Sequence, residues 1–143
     1  MPDAGTLLGF DFGTRWTGVA VGERESGLAH PLAVIEARTD SARLDAIARL
    51  VGEWRPAALV VGLPLDPDGA ELPLASRVRE FGTALAARFG LPVRYVDERL
   101  TSVDAESSLR AIGRGGRADK DLTHQVAAQR ILQDYFDERA SGR

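Results

Sequence analysis

The chain reads as an α/β protein: a five-stranded mixed sheet with helices on both faces. Three observations predict this. Strand-like and helix-like runs follow one another as three strands, a helix, a strand, a helix, a strand and further helices, the pattern of α/β crossovers built after a meander. Ala58-Leu59-Val60-Val61-Gly62 is apolar without a break, as in a strand covered on both faces. Leu74, Val78, Phe81, Leu85 and Phe89 recur at helical spacing, which supplies one of the covering helices.

The elements follow in order. Residues 6–12 and 17–22 read as two strands joined by a tight connection, with Gly13 free to take a positive φ. Residues 28–37 form a third strand, and Pro31 suits it to an edge, where a missing donor does no harm. Asp40 or Ser41 caps a helix reaching Trp54, with Leu44, Ile47, Val51 and Trp54 on one face and Pro56 as its stop. After the strand at 58–62 comes a loop dense in turn residues, Pro64 to Gly69. The second helix spans 71–89 and is closed by Gly90 and Pro92. Residues 93–97 form the fifth strand, followed by Glu98-Arg99-Leu100 and a capping-box-like Thr101 to Asp104 that opens a short helix. Residues 113–117 make a flexible basic loop, and a last helix runs from 119 or 120 to 139 before the end frays.

Bulk properties narrow the function. At 143 residues the chain is expected to form one domain with a core that needs no staples. It has no cysteine, which excludes disulfides, zinc–thiolate centres and a cysteine nucleophile. No basic stretch ahead of an apolar core marks a signal peptide, and no apolar run approaches the ~20 residues of a membrane span. A cytoplasmic location and no membrane partner are the expectation. The net charge of −3 does not advertise nucleic-acid binding, yet a cluster of metal-binding acids lowers net charge while a local arginine patch still meets phosphate.

The acids at strand ends carry the chemistry. Asp11 lies inside an apolar strand, where a carboxylate is costly unless something pairs with it, and a cation is the expected companion. Asp97 and Glu98 stand at the end of the fifth strand. If strands 4 and 5 run parallel to strand 1, these ends share one edge of the sheet, where α/β proteins place their sites. If the order across the sheet is 3-2-1-4-5, strand 4 separates the two acids by roughly 9–10 Å at ~4.8 Å per strand, a gap a metal can bridge. A surface salt bridge from Glu98 to Arg99 or another arginine is the other arrangement these residues allow. On the last helix Asp121, His124, Ala128, Ile131 and Tyr135 share one stripe, so Asp121 and His124 point with the residues that dock on the sheet. A helix-end histidine and a first-turn acid favoured by the helix dipole explain the same pair. Gly13, Thr14 and Arg15 sit beside the expected site, and Arg99, Arg110, Arg114 and Arg117 are placed to meet phosphates, unless the Gly-Arg stretch is an ordinary solvated linker.

Taken together, Phe10-Asp11-Phe12-Gly13-Thr14, Gly18-Val19-Ala20-Val21-Gly22, Val60 to Leu65, Asp97-Glu98-Arg99-Leu100-Thr101 and Ala127-Ala128 with Ile131-Leu132-Gln133 closely resemble the YqgF (RuvX) family. Its members are described as pre-16S rRNA nucleases and as Holliday-junction-resolvase-like. The resemblance covers nearly the whole chain. It implies a ribonuclease H-like nuclease domain over 1–143 that depends on Mg²⁺ or Mn²⁺, two ions in all. Its nucleic-acid partner would be pre-rRNA in ribosome precursors or branched DNA, and the protein a monomer or homodimer. Carried over, the family's first-strand aspartate is Asp11 and its Asp-Glu-Arg glutamate is Glu98. The family's third acid stands three residues before the Ala-Ala pair, where this chain has His124. The resemblance then makes Asp11 the bridging metal ligand and Glu98 a ligand of one ion. Asp121 and His124 together replace the missing acid as ligand or proton shuttle. Two other classes fit parts of the pattern. Asp11-Phe12-Gly13-Thr14 suits an actin-like or sugar-kinase-like ATPase, but a second such hairpin is missing. The change at His124 suits a module that binds structured RNA without cutting it.

Overall fold

The computed structural model describes the backbone of residues 5–99 and 117–141, and the side chains of 5–98 and 123–141. Five strands form one sheet: β1 (Thr6–Asp11), β2 (Trp16–Glu23), β3 (Leu28–Glu36), β4 (Ala58–Leu65) and β5 (Val93–Arg99). Among the described residues the helices are α1 (Asp40–Trp54), α2 (Leu74–Phe89) and α3 (Arg117–Ala140). The order across the sheet is β3-β2-β1-β4-β5, the order supposed from the sequence. The β1–β2 and β2–β3 pairs are antiparallel, whereas β1–β4 and β4–β5 are parallel.

Strand alternation divides the core in two. Leu8, Phe10, Val19, Val21, Leu59 and Val61 point to one face, where Ile47 of α1 and Val78, Phe81 and Leu85 of α2 cover them. Leu7, Ala20, Ala58, Val60 and Val96 point to the other, against Ala128, Ile131, Leu132, Tyr135 and Phe136 of α3. The same alternation puts Asp11, two residues on from Gly9, and Glu98, two on from Val96, on the α3 face.

That face is paved with glycine. A Cβ on Gly9 would lie 2.8 Å from Leu132 Cβ, and one on Gly22 would lie 2.7 Å from the Phe136 ring. A Cβ on Gly18 would collide with the His124 carbonyl oxygen. The missing side chains let α3 settle directly on the strands, which seats its first described turns beside Asp11. On its other flank α3 is tied to the edge strand. Gln129 Nε2 donates to Ala29 O (3.0 Å), Gln133 Nε2 donates to Gly27 O (2.9 Å), and Gln133 Oε1 accepts from Ala29 N (3.0 Å). These amides occupy backbone groups of Ala29 in β3 and of Gly27 just before it that an edge would otherwise leave open.

Several local expectations are corrected. The α1 cap is Thr39, whose hydroxyl accepts from Ala42 N at 3.1 Å, so Asp40 and Ser41 are already helical. Trp54 is 38% exposed and leaves the α1 apolar face at its end. The helix closes on Arg55 in the left-handed region (φ 46°), one residue before Pro56. β4 extends three residues past Gly62, because Leu63, Pro64 and Leu65 pair with Asp97, Glu98 and Arg99. Glu98 therefore stands inside β5 rather than after it. α2 begins at Leu74, since Glu71 is engaged in a bridge with Leu65. Gly13 has no positive φ; its need for glycine is steric, as a Cβ there would collide with the Trp16 carbonyl oxygen. In β3 the pairing slips between Val19 and Ala20, which accommodates Pro31 on the edge. The expected helix opening at Thr101 and the basic stretch 113–116 lie outside the described residues.

Candidate active site

Asp11 ends β1 at the carboxyl edge of the three parallel strands. Its Oδ2 lies 3.4 Å from His124 Nδ1 of α3, and both side chains keep partial access to solvent, 29% and 25%. The contact depends on Gly18: the bare backbone of β2 is what admits the His124 turn so close to the sheet.

Glu98 reaches the same edge from β5. Between it and β1 runs β4, where Gly62 contributes no side chain. A Cβ at Gly62 would lie 2.5 Å from Ile131 Cδ1 and 3.3 Å from Glu98 Cγ, so Glu98 leans over the glycine. Asp11, Gly62 and Glu98, with Phe12, Pro64, Leu74 and Val78, line one small pocket of about 50 Å³, room for little more than a water or an ion. Larger hollows lie elsewhere. The one of about 420 Å³ between Arg24, Gly27 and Arg139 sits by the β2–β3 turn, at the opposite end of the sheet from Asp11.

Electrostatics mark Glu98. Burial pushes its carboxyl up from 4.5 to about 7, the negative charge of Asp11 adds to that, and Asp134 pushes the same way while Arg130 opposes. A buried acid facing a second acid is an arrangement that a cation relieves. The donor set agrees: two carboxylates suit a hard divalent ion, and an imidazole suits Mn²⁺ better than Mg²⁺. Among the described residues no three His, Asp or Glu side chains gather tightly enough to hold an ion by themselves. The Asp11–His124 contact is in place, and Glu98 shares a pocket with Asp11. The Asp121 side chain lies outside the described residues.

The predicted substrate-facing residues separate. Thr14 is exposed in the β1–β2 turn beside Asp11. Arg15 is exposed too but is held by Glu36, Nη2 to Oε2 at 3.0 Å, and stacks at 5.2 Å over Trp16. The side chains of Arg99 and Arg117, and residues Arg110 and Arg114, lie outside the described residues. Arg43 was not foreseen. Its guanidinium is 1% exposed, donates to Thr14 O (2.7 Å), Ala37 O (3.1 Å) and Asp40 Oδ1 (2.7 Å), and sits 4.9 Å from the Phe12 ring centroid. It fixes the turn that follows Asp11 onto the start of α1. The available signal was a basic residue four positions before Ile47, on the apolar stripe of α1.

Comparison with known proteins agrees with this architecture. The family model described as "RuvX: Holliday junction resolvase" matches residues 5–138. A Thiobacillus denitrificans protein named "Putative pre-16S rRNA nuclease" is 51% identical over 135 residues, 94% of this chain and 93% of the relative. A Methylobacillus flagellatus protein of the same name is 50% identical over 137 residues, 96% of this chain and 94% of the relative. The fold is that of Thermus thermophilus RuvC in complex with a Holliday junction substrate (TM-score 0.54, 20% identity, 95% and 96% of the two chains). It is also that of the Fowlpox virus resolvase solved with junction DNA (TM-score 0.52, 9% identity, 91% and 97%). Both likenesses bear on the fold alone, the ribonuclease H-like arrangement the sequence resemblance implied. With a family model spanning nearly the whole chain and relatives at half identity, this protein belongs to the RuvX family.

Proposed function

We propose that this protein is a metal-dependent nuclease that processes the 5′ end of pre-16S rRNA in the cytoplasm. The observation that carries the reading is the pairing of Asp11 and Glu98 across a side-chain-free Gly62 at the carboxyl edge of the sheet. The names of the half-identical relatives supply the substrate. Asp11 and Glu98 are the groups that would hold Mg²⁺ or Mn²⁺, two ions in the fullest form, with Asp121 and His124 beside them. Divalent ions held there supply an activated water and stabilise the departing oxygen of a phosphodiester.

The chain's own groups then have separate tasks. His124 Nδ1 lies 3.4 Å from Asp11 Oδ2, and with Nδ1 as the donor of that contact Nε2 is the ring nitrogen left to accept a proton. Burial and the negative charge of Asp11 hold the Glu98 carboxyl up at about 7, and a cation beside it would favour its ionised form. Gly13, Thr14 and Arg15 border the path of the strand, and Arg99, Arg114 and Arg117 are the further arginines we assign to its phosphates.

A second reading, cleavage of branched DNA, rests on the family's description as a Holliday junction resolvase. The two are separated by offering the full chain a 16S rRNA fragment with its 5′ extension and a four-way DNA junction, each with Mg²⁺ or Mn²⁺. Trimming of the RNA with the junction left whole is the expected result. Paired symmetrical cuts in the junction alone would replace the RNA reading, and cutting of neither by folded protein would leave a binding module.

A further inference from the structure

α3 presents three distinct flanks. One packs on the sheet through Ala128, Ile131 and Leu132, and one is tied to β3 through Gln129 and Gln133. The remaining flank, 127–130–134 at helical spacing, therefore faces β4 and β5, the side from which Glu98 enters the site. Ile131 fixes the height: it meets Gly62 where Glu98 Cγ also approaches, so the neighbouring Arg130 stands at the level of the acid pocket. Arg130 is exposed. Arg15, Arg43, Arg77, Arg79 and Arg88 are each held by a carboxylate within 3.3 Å. Among the described residues no carboxylate comes within ion-pair distance of Arg130.

We propose that Arg130 is a phosphate-binding residue of this site, gripping the nucleic-acid backbone next to the bond that Asp11 and Glu98 address. The inference rests on the nucleic-acid reading above and names a contact of that site. An acidic protein with a net charge of −3 needs local cations to hold a polyanion, and the guanidinium fork matches two phosphate oxygens at once. Glu98 and Asp134 both sense the charge of Arg130, yet neither holds it in an ion pair. The side chain is thus attracted to the site yet able to exchange a diffuse partner for a phosphate.

The test measures binding and cleavage separately. Full-length protein carrying Asp11→Asn, so that nothing is cut, is titrated with a labelled single-stranded RNA and with a labelled four-way DNA junction over a range of salt. Adding Arg130→Ala should weaken binding of the preferred nucleic acid several-fold and flatten the log–log salt slope by about 0.7 for a single strand or about 0.9 for duplex. Arg130→Lys should restore the slope, and Arg139→Ala, at the far end of α3, should leave it unchanged. In the cleaving protein Arg130→Ala should raise KM about tenfold, with kcat within about twofold of the parent. An unchanged affinity and slope in Arg130→Ala would overturn the proposal, as would a loss that Arg130→Lys does not restore. Absence of binding to either nucleic acid by the Asp11→Asn protein would overturn the nucleic-acid reading and this proposal with it.

Discussion

Glu98 shows how a single residue couples the site to stability. Its carboxyl is raised from 4.5 to about 7 by burial and by the charge of Asp11. An acid whose folded value lies above its unfolded one favours the fold while protonated. That contribution is intact below about 4.5 and is lost as pH rises through about 7. Without divalent ions, Glu98→Gln should therefore match the parent near pH 4.5 and exceed its stability by about 2 kcal/mol at pH 8, allowing for partial solvent access. Urea unfolding at the two pH values reads this, and a variant no more stable at pH 8 than the parent would contradict it. Arg43 gives the second residue-scale expectation. Truncation to Met leaves the carbonyls of Thr14 and Ala37 without their donor and should cost about 2–4 kcal/mol, measured by the same unfolding. Asp11 and Glu98 were legible in the sequence because each is an acid at the end of an apolar strand. Arg43 was not, since a basic residue in an amphipathic helix ordinarily reaches water and only the fold reveals the carbonyls around it.

At the scale of elements, the decisive contact is that of α3 with the bare strands. The glycines of β1 and β2 remove side chains beneath a helix. Gly18→Ala should push the His124 turn off β2, because the clash is with backbone oxygen and cannot be relieved by a rotamer change. We expect a loss of about 2–3 kcal/mol in stability and a larger loss of cleavage than the stability change accounts for, read by comparing turnover well below the unfolding midpoint. The stripe joining His124 to Ala128, Ile131 and Tyr135 was legible from helical spacing alone. The length of β4 and β5 was not: Pro64 signals a turn, yet as the pair of Glu98 it lies within the parallel ladder. Sequence periodicity cannot see which residues a neighbouring strand will recruit.

For the whole molecule, a mixed sheet with helices on its faces followed from the alternation of patterns along the chain, while the strand order, a supposition at that stage, and the face each helix covers are seen in the structure. Topology then does what no local motif does: it gathers Asp11, Glu98 and His124, distant in sequence, at one edge. His124 as a candidate for the site was visible in the sequence, whereas its contact with Asp11 was not, because it depends on how closely α3 docks. Asp11 is the centre of the site: it meets His124 at 3.4 Å and lines one pocket with Glu98. The most direct measurement is metal-dependent cleavage of a 5′-extended 16S rRNA fragment by the parent protein and by Asp11→Asn, with both shown by circular dichroism to be folded. We predict cleavage by the parent and a loss of at least about a hundredfold in the variant, the scale of removing a principal charge-stabilising group. Equal cleavage by the two proteins would contradict the account.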